Sequence, residues 1–237
     1  ISSSLLFVRL RRSDKAIHLN WKELRIDRKS LQKILQIGIP AGIQSAVFSI
    51  SNIVIQSAIN SLGTVVMAAS SAAFNIEVIA YDVLSSFSQA CTTFVGQNYG
   101  AGKLDRCRKT LVLCLVEDTV ASGLAIMLVL CSGHFLLSLF NQDPEMISIG
   151  YTRLMVVFTA YFFSMLYEVM SGYLRGFGIS LVPALLTMLG VCGVRILWVA
   201  TAFPQHRSFQ TILLAYPLSL AATAVLIFIA LLVYHPS

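Results

Sequence analysis

The sequence predicts an all-α integral membrane protein, and three observations carry that prediction. Hydrophobic residues make up 57% of the 237 and charged residues only 12%. A soluble domain carries about 25% charged residues, so this chain cannot cover a water-facing surface. Six apolar segments, at about 34–60, 66–95, 111–139, 147–174, 181–203 and 209–234, reach the roughly 20 residues needed to cross a bilayer. Finally, the segments lack the period-two alternation of a membrane barrel. Lipid tolerates only helices or closed barrels, so these are helices.

Taken in order, "ISSSLLFV" (1–8) is too short to span and lacks the charged start of a signal peptide. It reads as the end of a preceding transmembrane helix, with the chain a piece of a longer protein. Residues 9–33 hold nine of the 17 Lys and Arg (Arg9, Arg11, Arg12, Lys15, Lys22, Arg25, Arg28, Lys29 and Lys33) and read as a basic linker, with 34–237 the six-helix lobe. The separators "NSLGT", "GQNYGAGKLDR", "NQDPE", "RGFGIS" and "FPQHRS" carry turn chemistry. Pro40, Pro183 and Pro217 lie near span starts, where a missing N–H matters least.

Basic residues set the orientation. Lys103, Arg106, Arg108 and Lys109 follow two spans after the linker, and Arg175 two spans later; the opposite loops hold Arg207, Asp143 and Glu145. Every second loop is basic, which places 9–33 and 96–110 on the cytoplasmic side of the cell (inner) membrane. Cys107, between Arg106 and Arg108, is expected to be a reactive thiol reachable from that side.

Several chemistries are excluded. "VGQNYGAGKLDRCRK" (95–109) has a Gly-Lys pair, but Gln97 stands where a phosphate loop needs its first glycine and Leu104 where it needs Ser or Thr. No C-x-x-C, H-E-x-x-H or G-x-S-x-G occurs, and the four histidines are scattered. The five cysteines read as small packing residues. The net charge of +6 comes from a juxtamembrane cluster rather than from a nucleic-acid surface. The chain is therefore not expected to be an enzyme, to hold a cofactor or metal, or to bind nucleic acid.

The informative residues are the polar ones inside the spans. On a helical wheel of the second span, Ile76, Ala80, Val83, Phe87, Ala90, Cys91 and Phe94 share one arc, read as the lipid face. Asn75, Glu77, Tyr81, Asp82, Ser86 and Gln89 occupy the remainder, read as wet or protein-facing. An intramembrane charge costs about 2.5–3.5 kcal/mol on insertion scales, so Glu77 and Asp82 mark an ion or substrate path. The first span aligns Ser45, Ser49, Asn52, Gln56 and Asn60; the fourth carries Glu168, with Arg153 early in it; the fifth carries Arg195, a partner for one of the acids. The Ser, Asn and Gln residues equally suit interhelical hydrogen bonding. Glu117 and Asp118 are expected in a solvated or interfacial position.

The blocks "QIGIPAGIQSAVFS" (36–49), "NSLGTVVMAA" (60–69), "FNIE" (74–77), "TTFVGQNYGAGKLDR" (92–106) and "SGYLRGFG" (171–178) resemble, in order and spacing, the second half of the multidrug and toxic compound extrusion (MATE) family. The resemblance implies one six-helix lobe of a twelve-helix transporter, partnered by an N-terminal lobe in the lipid bilayer. It implies exchange of H⁺ or Na⁺, the only cofactor-like species, for small organic cations. Glu77 and Glu168 stand where such sequences often carry an acid. The first span lacks the acid some members have there. A lipid-linked oligosaccharide flippase and a non-transporting scaffold are the alternatives. Asn52, Gln56, Asn75, Glu77, Tyr81, Asp82, Gln89, Glu168 and Arg195 form the expected pathway.

Overall fold

The structure, a computed structural model, describes residues 26–234. The segment 1–8 and the linker cations from Arg9 to Arg25 lie outside the described residues. The chain divides into two compact units, Ile1–Ile39 and Pro40–Ser237. In the first, the carboxylate of Asp27 accepts hydrogen bonds from the backbone N–H and hydroxyl of Ser30 at 2.8 and 2.6 Å, capping the helix that starts at Arg28.

All the regular structure among the described residues is helical: α1 (Arg28–Asn60), α2 (Thr64–Gly100), α3 (Leu104–Ser138), α4 (Pro144–Gly176), α5 (Leu181–Thr201) and α6 (Phe209–Val233). Six helices are long and apolar enough to cross a membrane, α1 through its Gly42–Asn60 part. Their starts follow local chemistry. Asp143 caps α4 by accepting from the Glu145 N–H at 3.0 Å, with Pro144 at the first helical position. Ser208 caps α6 by accepting from the Thr211 N–H. Pro183 does sit in the first turn of α5, but Pro217 lies inside α6, and Pro40 lies well within the continuous α1. Packing of α6 against α4 carries that helix through a position that local propensity reads as a start.

The 96–110 connector is shorter than the turn residues suggest. α2 runs on to Gly100 and α3 begins at Leu104, so the reversal is made by 101–103 alone. Gly102 takes φ +71°, a left-handed conformation that glycine adopts without a Cβ clash. The Lys103 N–H then bonds back to the Asn98 carbonyl at 2.9 Å and closes the helix end.

α4 is the centre of the bundle, packed against α2, α3 and α6. The α2–α4 contact is close because both helices offer small residues there. A Cβ on Gly172 would stand 2.4 Å from the Ser88 carbonyl oxygen. Ser88 donates to the Glu168 carbonyl at 2.6 Å and Thr92 to the Gly172 carbonyl at 2.9 Å. This contact corrects part of the wheel assignment of α2: Ile76, Ala80 and Cys91 are buried inside the bundle, together with Ser70, Glu77 and Ser88, while Val83, Phe87 and Ala90 are half-buried and Phe94 is exposed; Asn75, Asp82, Ser86 and Gln89 are exposed, as a wet side requires. Apolarity alone does not separate a lipid face from a protein face, since α4 covers small apolar residues as readily as lipid does.

Candidate functional site

Two polar assemblies occupy the bundle. The first is buried. α2 points Glu77 at Arg153 of α4, and the pair is bidentate: Arg153 Nε donates to Glu77 Oε1 at 2.7 Å and Nη2 to Oε2 at 2.9 Å. The remaining guanidinium donors reach the Ser70 hydroxyl at 2.6 Å and the Tyr216 hydroxyl of α6 at 3.2 Å. Both charges are almost wholly shielded, at 2% and 3% exposure. Such an ion costs several kcal/mol to desolvate unless its partner and hydrogen bonds are in place, and here four of the five guanidinium N–H donors have a partner. Tyr216 also bridges to Arg195, whose guanidinium lies 4.4 Å from the ring centroid and whose Nε donates to Ser219 at 3.1 Å. A π-helical turn, Met188–Gly193, immediately precedes this part of α5; its wider turn shifts the helix phase.

The second assembly is open. A cavity of about 680 Å³ is lined by α1 (Gln44, Ser45, Phe48), α2 (Tyr81, Ser85, Ser88, Gln89, Thr92, Thr93) and α4 (Glu168, Arg175). Among the described residues, Glu168 is its only acid and Arg175 its only cation. The Tyr81 hydroxyl donates to Glu168 Oε1 at 2.9 Å, while Arg175 stands 3.7 Å from Oε2, a long and partly solvated pair. Arg175 also donates to the Ser88 hydroxyl at 2.8 Å. Gln44, one of the lining residues, donates to Thr187 of α5 at 2.6 Å.

The structure therefore distributes the residues singled out from sequence. Tyr81, Gln89 and Glu168 share the cavity. Glu77 and Arg195 belong to the buried network, with Arg195 stacked on Tyr216 rather than paired to an acid. Asn52 and Asp82 are exposed on α1 and α2; Gln56 bonds to Asn60 at 2.8 Å, and Asn75 to the Ser71 carbonyl at 3.0 Å. Arg153, Ser70 and Tyr216 were not singled out as site residues, and neither was Arg175. An intramembrane arginine two spans from an intramembrane glutamate was the available signal for the first; nothing in the sequence points to Tyr216.

Two further expectations change. Asp118 is fully buried rather than interfacial, with Ser122 donating to Oδ1 at 2.5 Å and no partner on Oδ2 among the described residues, while its neighbour Glu117 is exposed. Cys107 is fully buried, its thiol directed at the Val95 carbonyl, so its flanking cations do not make it accessible. Cys91, Cys114 and Cys192 are buried too; Cys131 is exposed.

A bundle of membrane-length helices with buried, mutually satisfied charges behind an open polar cavity has the build of a multi-pass membrane transporter. The MatE family's sequence profile matches residues 40–201, well over half the chain. Among curated relatives, "Probable multidrug resistance protein YoeA" of Bacillus subtilis is 25% identical over 207 residues, which is 86% of this chain and 44% of that protein. "Probable multidrug resistance protein NorM" of Thermotoga maritima is 27% identical over 185 residues, 76% of this chain and 38% of that one. The crystal structure of MATE in the straight conformation shares the fold with a TM-score of 0.84 at 13% identity, over 97% of this chain and 52% of that one. The chain thus spans about half the length, or less, of the relatives it matches. It belongs to the MatE family of membrane transporters.

Proposed function

We propose that this chain forms one lobe of an antiporter that moves H⁺ or Na⁺ inward and small organic cations outward across the cell membrane, with an N-terminal six-helix lobe as its partner. The basic ends, residues 9–33 and the 101–103 reversal, lie on the cytoplasmic side in this reading. The relatives' names as multidrug resistance proteins support the cargo class.

One observation carries the proposal: among the described residues a single acid, Glu168, faces the cavity, and it is held loosely. One carboxylate oxygen is oriented by Tyr81. The other faces Arg175 at 3.7 Å, and Arg175 keeps a second anchor on Ser88. A proton, a sodium ion or an organic cation can each take the place of Arg175 at this oxygen. Only one can do so at a time, and antiport requires that competition, because the bound species must differ in affinity between the two states. Asn52, Asn75, Asp82 and Gln89 supply exposed polar groups along α1 and α2, and Gln56 a half-buried one, that suit the rest of a path. Glu77 is neutralised by Arg153 and acts in this reading as scaffold.

The test is drug-driven proton or sodium flux in vesicles containing the complete transporter. Glu168→Gln should reach the membrane in normal amount and lose coupled flux. Wild-type coupling in this variant would refute the assignment.

A further inference from the structure

We infer that the first turns of α3 form a binding site for one anionic phospholipid, its phosphate held by Arg108 and Lys109 and the start of an acyl chain lying along Val112 and Leu113. The geometry is a shallow, open groove of about 390 Å³ lined, among the described residues, by these four, almost entirely through their carbon atoms. It combines two exposed cations with an apolar floor one turn deeper, because Arg108 and Val112, and likewise Lys109 and Leu113, are four residues apart on one helix face. The apolar track continues inward through Val116, Val120, Leu124 and Met127, all exposed.

Depth supports a lipid occupant. α3 has 35 residues and so is about 52 Å long, against a hydrocarbon core of about 30 Å. If the excess is shared between its ends, about 11 Å projects at each. Arg108 lies four residues from the start, about 6 Å along, which puts its guanidinium just outside the hydrocarbon, at phosphate level. Neither cation is in an ion pair among the described residues. Asp105 lies one turn before Lys109, exposed and without a salt bridge to it. Glu117 stands at the edge of the same face, about 12 Å deeper than Lys109. It is too far to neutralise the cations and positioned to repel a phosphate that slid inward. Charge complementarity therefore selects an anionic headgroup, and the apolar floor selects a lipid over a soluble phosphate.

The experiment is native mass spectrometry of the purified protein released from nanodiscs of equal phosphatidylglycerol and phosphatidylcholine. One phosphatidylglycerol should be retained preferentially. Each cation near a membrane surface contributes about 1 kcal/mol, so Arg108→Gln/Lys109→Gln should weaken retention about 25-fold. Lys103→Gln, which removes an exposed cation outside the groove, should retain it. Unchanged retention in the double variant overturns the site, as does equal loss in Lys103→Gln, which would indicate diffuse charge. Displacement of the lipid by millimolar inorganic phosphate would also overturn it, since the groove would then be reading phosphate alone.

Discussion

Replacing Arg153 with Met tests the buried pair at the heart of the lobe. The substitution keeps the length and apolar stem of the side chain. It removes the two hydrogen bonds to Glu77, at 2.7 and 2.9 Å, and those to Ser70 and Tyr216. Glu77, only 3% exposed, is left as a charge with no counter-ion. Breaking a buried pair in this way costs about 3–5 kcal/mol, a large part of the 5–15 kcal/mol that typically holds a folded protein together. For about 200 residues, each kcal/mol moves Tm by roughly 2–4 °C, so Arg153→Met should melt about 6–20 °C lower in detergent. Adding Glu77→Gln removes the stranded charge and should recover most of that loss. A single variant within about 2 °C of wild type would refute the reasoning, as would a double variant no more stable than the single. The double variant also separates roles: if it folds normally and still couples transport, Glu77 is scaffold, and if it folds but no longer couples, Glu77 belongs in the pathway.

Gly172→Ala should cost about 1–3 kcal/mol, the usual penalty of overpacking, because its Cβ would meet the Ser88 carbonyl; Gly123→Ala on α3, with nothing within 4 Å, should be neutral or stabilising by up to about 1 kcal/mol, and equal melting temperatures for the two would contradict the close-contact account. In a Cys131→Ser background, which removes the exposed native thiol, a membrane-impermeant maleimide should label Lys103→Cys from the cytoplasmic side and leave the native Cys107 untouched, since Lys103 is exposed and Cys107 fully buried; labelling from outside intact cells would reverse the topology. Hydrogen bonds from Ser30 hold the Asp27 carboxyl below its ordinary value of 3.8. Its capping contribution is therefore fully present above that value and is lost as pH falls through the lower, folded-state value. The protection of the Ser30 amide, taken relative to its intrinsic exchange rate at each pH, should fall at acid pH in the wild type and already be lost at neutral pH in Asp27→Ala; full protection of Ser30 in that variant would remove the cap.

Composition and apolar run length determined the all-helical membrane class and the number of spans, because a helix that crosses lipid must satisfy its own backbone and show an apolar surface whatever its neighbours do. The spacing of blocks such as "FVGQNYGAGKLDR" was enough for the family resemblance, since local turn and packing demands are written contiguously. Which charge serves which purpose was not legible there. Glu77 and Glu168 look alike in sequence, as acids in apolar helices, while Asp118 reads as interfacial, and the fold sorts them differently: Glu77 meets Arg153 across 76 positions, Asp118 is buried and bonded to Ser122 on its own helix, and Glu168 meets an open cavity. The same limit displaced part of the α2 wheel, where a stripe of Ala, Ser and Cys is buried in the bundle rather than facing lipid. A helical period says which residues share a face. What covers that face is set by helices distant in sequence, and the free energy of a buried charge depends on that partner rather than on its neighbours along the chain.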